Sequence, residues 1–232
     1  MIGTSFQSVG VENTISVQNI KISGLKGLDW GIFEELGDTL TIWDPVDQVY
    51  STTLYYAGDE YDEYGMMEAR GATPGSWIDM ATLGNSDLTL RNGDAFWIDS
   101  STVNAQAIIT GEVPTTANTI TIIPGFNMVA NPYPKAVKVN DLFSISGLKG
   151  LDWGIFEELG DTLEIWDPVD QVYSTTLYYA GDEYDEYGMM EARGATPGSW
   201  IDMATLGNSD IEIPAGGAFW VNSKVTATLT FK

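Results

Sequence analysis

Cysteine and histidine are both absent from this 232-residue chain. Their absence excludes disulfides, thiolate chemistry, imidazole general bases and the usual zinc ligands. A chain without cysteine does not by itself name a compartment. Positive charge is scarce: 10 Lys and Arg stand against 33 Asp and Glu, a net charge of −23. Such a surface repels nucleic acid and anionic lipid headgroups, so neither is an expected partner. It would attract divalent cations or cationic partners, or simply keep the chain soluble. No run of roughly 18 apolar residues occurs, so no membrane span is expected. The G-x-S-x-G elbow, the phosphate-binding loop and the dinucleotide fingerprint are missing too. A glycosidase needs only two carboxylates, but nothing here suggests a cleft to hold them. No enzyme is expected.

What the chain does contain is a duplication. Residues 22–87 recur as 145–210, 123 positions later, and across these 66 residues only Thr41→Glu164 differs. A catalytic protein rarely needs one surface twice, whereas a lattice, a fibre or a multivalent adhesive surface does. The repeat divides the chain into domains 1–111 and 112–232, each of about 110 residues and long enough for its own core. Hydrophobic content of 44%, with 12% aromatic residues, is that of a folded protein rather than an acidic tail. The first block holds 13 acids and 2 bases, its copy one acid more, and the remaining 6 acids and 6 bases cancel. All the net charge therefore sits in the duplicated blocks.

Strand patterns dominate. Residues 225–232 alternate apolar and polar, and Val225, Ala227, Leu229 and Phe231 align with Val103, Ala105, Ala107 and Ile109. Inward positions stay apolar while outward ones drift, as sheet packing requires. Residues 38–43 read as a strand with Leu40 and Ile42 on one face, so Thr41 points outward and its replacement by Glu164 leaves the core unchanged. Residues 48–56 should pair with it across Asp44-Pro45-Val46-Asp47. Residues 88–90 and 95–98 read as a hairpin closed by Asn92-Gly93. Short helical turns are expected over 29–36, ended by Gly37, and over 79–83 before Gly84. Residues 58–76 read as a long surface loop, and the join between domains falls at 111–118. The fold class is all-β: two tandem, mainly antiparallel, sandwich-like domains.

The second copy opens with the strong strand Thr119-Ile120-Thr121-Ile122-Ile123, and nothing before Met1 matches it. Domain one is therefore expected to lack its first strand and to carry an open edge, a row of unpaired backbone groups that can template another chain. Met1-Ile2-Gly3 fits Met128-Val129-Ala130, which suggests that Met1 stands inside a longer precursor. The residues after Met1 form neither a basic nor an apolar leader segment.

Gly125-Phe126-Asn127-Met128-Val129-Ala130-Asn131-Pro132-Tyr133-Pro134 resembles the "GWN-hydrophobic-x-NP-aromatic" opening of tandem β-domain repeats in bacterial secreted and surface proteins. Gly93-Asp94-Ala95-Phe96-Trp97 and Gly217-Ala218-Phe219-Trp220 resemble their "G-x-aromatic-Trp" closing strand. The resemblance brackets nearly all of the second domain, and the first without its opening. It implies extracellular structural or adhesive modules with no known catalytic residues.

Two ligand sites can be read from residue type. Asp59, Glu60, Asp62 and Glu63, repeated as Asp182, Glu183, Asp185 and Glu186, offer closely spaced carboxylates, and a hard cation such as calcium wants six to eight oxygens. Asp44 and Asp47 could add more. The spacing is not that of an EF-hand, and a solvated charge run is the simpler reading; no cofactor is required. Trp30, Trp43, Trp77 and Trp97, with Tyr50, Tyr55, Tyr56, Tyr61 and Tyr64, could stack on sugar rings, making carbohydrate a conceivable partner. Core or interface roles suit most of these rings as well.

The expected function is self-assembly: a subunit of an extracellular homopolymer such as a filament, sheath or surface layer. Head-to-tail contacts that do not close give fibres. Ile2 and Phe6 at the open end and Val225, Ala227, Leu229 and Phe231 at the other are the assembly residues this reading names. Like-charged blocks must approach, and at physiological salt their repulsion decays over roughly 8 Å. Contacts are then expected from the neutral segments 1–21, 100–144 and 224–232. Sedimentation should show polymers that weaken when salt or divalent ions are removed, or when residues 225–232 are deleted. Identical behaviour in low and high salt would count against assembly.

Overall fold

The computed structural model describes residues 15–27, 37–58, 71–90, 93–100, 119–150, 160–167, 170, 172–181 and 194–232, and the backbone of 2–5 and 106–108. Unit one contributes β1 (Ile2–Ser5), β2 (Ile15–Ser16), β3 (Lys21–Ser23), β4 (Thr39–Asp44), β5 (Val49–Tyr56), β6 (Ser76–Asp79), β7 (Thr89–Leu90), β8 (Ala95–Asp99) and β9 (Gln106–Ile108). Unit two contributes β10 (Thr119–Ile122), β11 (Gly125–Ala130), β12 (Val137–Lys138), β13 (Phe143–Ser146), β14 (Thr162–Asp167), β15 (Val172–Tyr179), β16 (Ser199–Asp202), β17 (Glu212–Ile213), β18 (Ala218–Ser223) and β19 (Ala227–Phe231). The chain is all-β, and among the described residues every strand ladder is antiparallel and stays within one unit.

Each unit is built around a large sheet, β1-β8-β4-β5-β6 in one and β11-β18-β14-β15-β16 in the other. Smaller sheets cover one face of each: β3-β9 and β2-β7 in unit one, β10-β19-β13 and β12-β17 in unit two. Period-two alternation sends Leu40, Ile42, Phe96 and Ile98 into the first core, and Leu163, Ile165, Phe219 and Val221 into the second. As the alternation predicted, β4 pairs with β5 from Thr39↔Leu54 to Asp44↔Val49. Their turn is fixed by Asp44, whose carboxylate accepts from the amides of Val46 (2.8 Å) and Asp47 (3.2 Å).

The expected hairpin over 88–98 does not form. β7 pairs with β2, whereas β8 pairs with β1 and β4, so the chain crosses from one sheet to another between them. Unit two repeats this with β17 on β12 and β18 between β11 and β14. Leu90, Ile213 and Phe96 are wholly buried and Phe219 nearly so, which is why two short strands split between sheets are preferred over an exposed ribbon.

The expected fit of Met1-Ile2-Gly3 to Met128-Val129-Ala130 is off by two residues. Gly3 pairs with Trp97 as Met128 pairs with Trp220, so Ile2, Gly3, Thr4 and Ser5 stand where unit two has Asn127, Met128, Val129 and Ala130. A slip of two preserves which side chains share a face, and apolar pattern alone cannot detect it.

Outside the repeat, one polar clamp is made by different residues. The Gln18 amide donates to the carbonyls of Trp77 (2.6 Å) and Ser86 (3.0 Å) and accepts from Trp77 N–H (3.1 Å). Asn140 does the same to Trp200 O (3.0 Å), Ser209 O (3.1 Å) and Trp200 N–H (2.8 Å). Asn140 rides on the four-residue helix α1 (Val139–Leu142) and Gln18 on the three-residue 3-10 turn Val17–Asn19. The longer side chain makes up for the shorter segment.

The expected helix at 29–36 lies outside the described residues, as do 109–118 and most of the 58–76 loop. Residues 79–83 form a single turn, closed by Leu83 N–H to Asp79 O (2.8 Å) and ended by Leu83 at φ 59°. Among the described residues no helix is long and apolar enough to cross a membrane.

In that turn the Asp79 carboxylate is held below the usual range, chiefly by the backbone N–H of Thr82 at 2.7 Å, with help from the Thr82 side chain and Ala81 N–H. Asp202 is lowered in the same way by Thr205 and Ala204. A carboxyl with a depressed folded pKa stabilises the fold above its unfolded value, about 3.9, and loses that contribution as pH falls through the folded value. Below about pH 4, the Asp79→Asn, Asp202→Asn double variant should lose thermal stability less steeply with acidification than the parent. Parallel melting curves across pH 2–6 would show that these turns contribute nothing to the acid limb.

Candidate functional site

Two features of the architecture bear on function: a buried face between the units and a strand, β9, paired on one side among the described residues. The buried face follows from the strands that carry it. In Ala95-Phe96-Trp97-Ile98, Phe96 and Ile98 enter the core, so Ala95 and Trp97 point the opposite way, and they are still buried. The same holds for Met128, Ala130 and Trp220 in unit two. These side chains, with Trp43, Trp166 and Ala218, form one apolar cluster between the outer faces of the two large sheets. The outward face of each sandwich is thus an inner face of the whole molecule.

The contacts are paired by a pseudo-two-fold relation. Trp43 meets Trp220 edge-on at 5.4 Å, and its equivalent Trp166 meets Trp97, the equivalent of Trp220, at 6.3 Å. β11 lies against β8 as β1 lies against β18. Tyr50 and its equivalent Tyr173 approach one another: burial pushes the Tyr50 phenol up, and the Tyr173 phenol pushes it further. Reciprocal contact of equivalents is the mark of an isologous interface, here closed within one chain.

Polar contacts fix the register. Gln48, at φ 53°, donates its amide to Phe126 O (3.0 Å) and accepts from Phe126 N–H (2.9 Å). Trp43 Nε1 donates to the same carbonyl at 2.7 Å. Gly125, at φ 99°, leaves room for Gln48, since a Cβ there would lie 2.6 Å from its amide oxygen. Ala130 N–H donates to Gly93 O at 3.1 Å, beside a bridge between Asp94 and Val129. Gly93 was read as a hairpin glycine. Its positive φ and its lack of a Cβ instead admit Ile120 of β10.

The singly paired strand is β9. In unit two, Leu229 of β19 pairs with Ile145 on one side and Ile120 on the other. In unit one, Ala107 stands where Leu229 does and pairs with Ile22; among the described residues β9 has β3 as its sole neighbour.

The expected assembly residues fall in other places. Ala227, Leu229 and Phe231 are 4%, 0% and 1% exposed in the second core, and β19 is paired on both sides. Deleting 225–232 would therefore remove the centre of unit two rather than a docking edge. Val225 sits half-buried in the preceding turn. Ile2 lies in β1 opposite Ile98, and Phe6 is outside the described residues.

The acidic residues Asp59, Glu60, Asp62, Glu63, Asp182, Glu183, Asp185 and Glu186 also lie outside them, as do Trp30, Tyr61 and Tyr64. Among the described residues no cluster of three or more carboxylates is placed to hold a metal. The asparagines of the opening motif are structural. Asn127 ties the β10–β11 turn through Ile123 N–H (3.0 Å) and O (2.8 Å), and Asn131 ties β11 to Ile213 O (3.1 Å) and Tyr133 N–H (3.0 Å). A cavity of about 360 Å³ opens between the units, walled by Trp43, Val46, Ile120 and Met128 with Asp94 and Thr121 at its margin. Asn127, which also lines it, has its amide committed to backbone.

The chain matches no protein-family model, no curated protein and no solved structure.

Strand alternation predicts solvent on one side of each sheet and does not reveal the buried face. The signal lay in the unbroken apolar runs 95–98 and 128–130, which leave no polar face to wet. Truncation of a ring at this face should be costly: Trp220→Ala is expected to lose about 3–5 kcal/mol and to split one calorimetric transition into two. A loss below about 0.5 kcal/mol, the range of a surface change, would mean the face is not formed in solution.

Proposed function

We propose that this chain is a structural subunit of an extracellular bacterial homopolymer, a filament, sheath or surface layer, joined by strand contacts at the side of β9 opposite β3. The observation that carries the reading is the difference between β9 and β19: the same strand is flanked twice in unit two and once, among the described residues, in unit one. An unfilled place in a sheet recruits an extended segment, because each backbone group that pairs there leaves the unpaired state. An outer strand of unit two in the next molecule fits the place, and the contact repeats without closing. The isologous face between units is paired within the chain, and a strand contact at β9 leaves it intact. The resemblance to repeats of secreted and surface proteins supports the extracellular location. Neither an enzyme nor a required cofactor is part of this reading.

A second reading, a carbohydrate-binding or adhesive module, draws on Tyr50 and Tyr173, which are 55% and 44% exposed, with Phe126 beside them. Rings with one free face suit sugar stacking. Calcium could assist through the acidic loops.

Negative-stain microscopy with sedimentation separates the two. Polymers should form as concentration rises, and a synthetic peptide of residues 117–123 in excess should shorten them by occupying β9. Ala107→Pro, which deletes an N–H at the centre of that strand, should abolish them. A monomer at all concentrations that pulls down with polysaccharide, and loses this on Tyr50→Ala with Tyr173→Ala, would replace the first reading with the second.

A further inference from the structure

We propose that unit one of one molecule pairs with unit two of another through the same tryptophan face, so that chains exchange halves. The inference rests on the reading of the chain as an assembling subunit and names a second contact by which it assembles.

The face is reciprocal, as Trp43 against Trp220 and Trp97 against Trp166 show, so its geometry does not depend on which chain supplies the partner half. Exchange of identical elements between protomers needs no new surface, because every contact already exists inside the monomer. Each molecule carries one of each half. If unit one of the first pairs with unit two of the second, the first is left with a free unit two and the second with a free unit one. Those either close a dimer or continue a head-to-tail chain.

Two differences between the units select this pairing over pairing of like with like. The non-duplicated segment supplies Phe126, Met128 and Ala130 to the face in unit two, where the Gln48 amide of unit one grips Phe126. Within the 66-residue repeat the one substitution also falls on this face: Glu164 shares its side of β14 with Trp166 and is the strand neighbour of Trp220, where unit one has Thr41 beside Trp97. Glu164 is half-buried. Unit two paired with itself would hold two such carboxylates against one apolar face, and burying like charge together is unfavourable. Within one chain the halves meet at an effective concentration on the order of millimolar, so exchange grows as the protein concentration approaches that level.

The absence of cysteine makes the test direct. Asp94 and Val129 are bridge partners across the face, and D94C and V129C are made as single variants and as a double variant. Refolded together at high protein concentration and oxidised, the two single variants should give a covalent species of twice the chain mass. Neither alone should give it, and its yield should rise with concentration. The double variant should change from an intrachain link when dilute to a ladder of multimers when concentrated. Q48C with F126C, at the rim of the face, removes the Gln48 grip and so repeats the test on the tryptophan contact alone. Intrachain linkage at every concentration, with no mixed dimer from either pair, would overturn exchange. Polymers seen by microscopy without a mixed cross-link would leave the β9 contact standing and overturn this one. A mixed cross-link without longer polymers would support exchange and contradict the β9 contact.

Discussion

Four tryptophans hold the outer faces of the two large sheets together, and the rest of the architecture follows from that contact. A sandwich of this size can leave the far face of its large sheet in water, as many antiparallel sheets do. Here β8 and β18 carry apolar side chains on both faces, so a unit on its own would expose Trp97 or Trp220 with Ala95 or Ala218 and the neighbouring Trp43 or Trp166. Removing that patch from water is worth more than any surface ion pair the chain could make. The edge-on ring contacts at 5.4 and 6.3 Å add about 0.5–1.5 kcal/mol each beyond the area they cover. Charge does not prevent the approach, because the facing side chains are Trp, Met and Ala, with Glu164 half-buried on the same side of the sheet.

Duplication makes such a face easy to build and hard to control. Two equal surfaces that are self-complementary pair in one chain, between chains, or like with like. What distinguishes the halves lies outside the repeat or at its single substitution. β10 and β11 give unit two a flanked β19 and the Phe126 backbone that Gln48 grips, while β9 of unit one keeps a bare side among the described residues. The molecule is thus nearly symmetric in its core contacts and polar in its ends. The proposed directional assembly uses that combination.

Much of the strand plan was legible because alternation is a local property. Leu40 and Ile42 against Thr41 gave β4, and the match of Ala107 to Leu229 survived into the sheet pairings with Ile22 and Ile145. What depended on the partner of a strand was not legible. Residues 88–98 carry both strands of a hairpin and an Asn-Gly between them, yet the burial of Leu90 and Phe96 in different layers separates them. Thr41 does point away from the core, on the side of the sheet that carries Trp43 and Trp97, and is half-buried there. The Gln18 and Asn140 clamps were invisible for a further reason: the two amides occupy equivalent places only after a one-residue difference in length between a 3-10 turn and a helix.

The amide of Ala130 offers the most direct test of the paired face. It points away from β18 and donates to Gly93 of unit one, so its protection from exchange with solvent depends on the two units being together. Native-state hydrogen exchange should find it as slow as the β11 amides that pair with β18. Exchange at the rate of a free edge strand, with the rest of β11 protected, would mean the units fold side by side without this face between them.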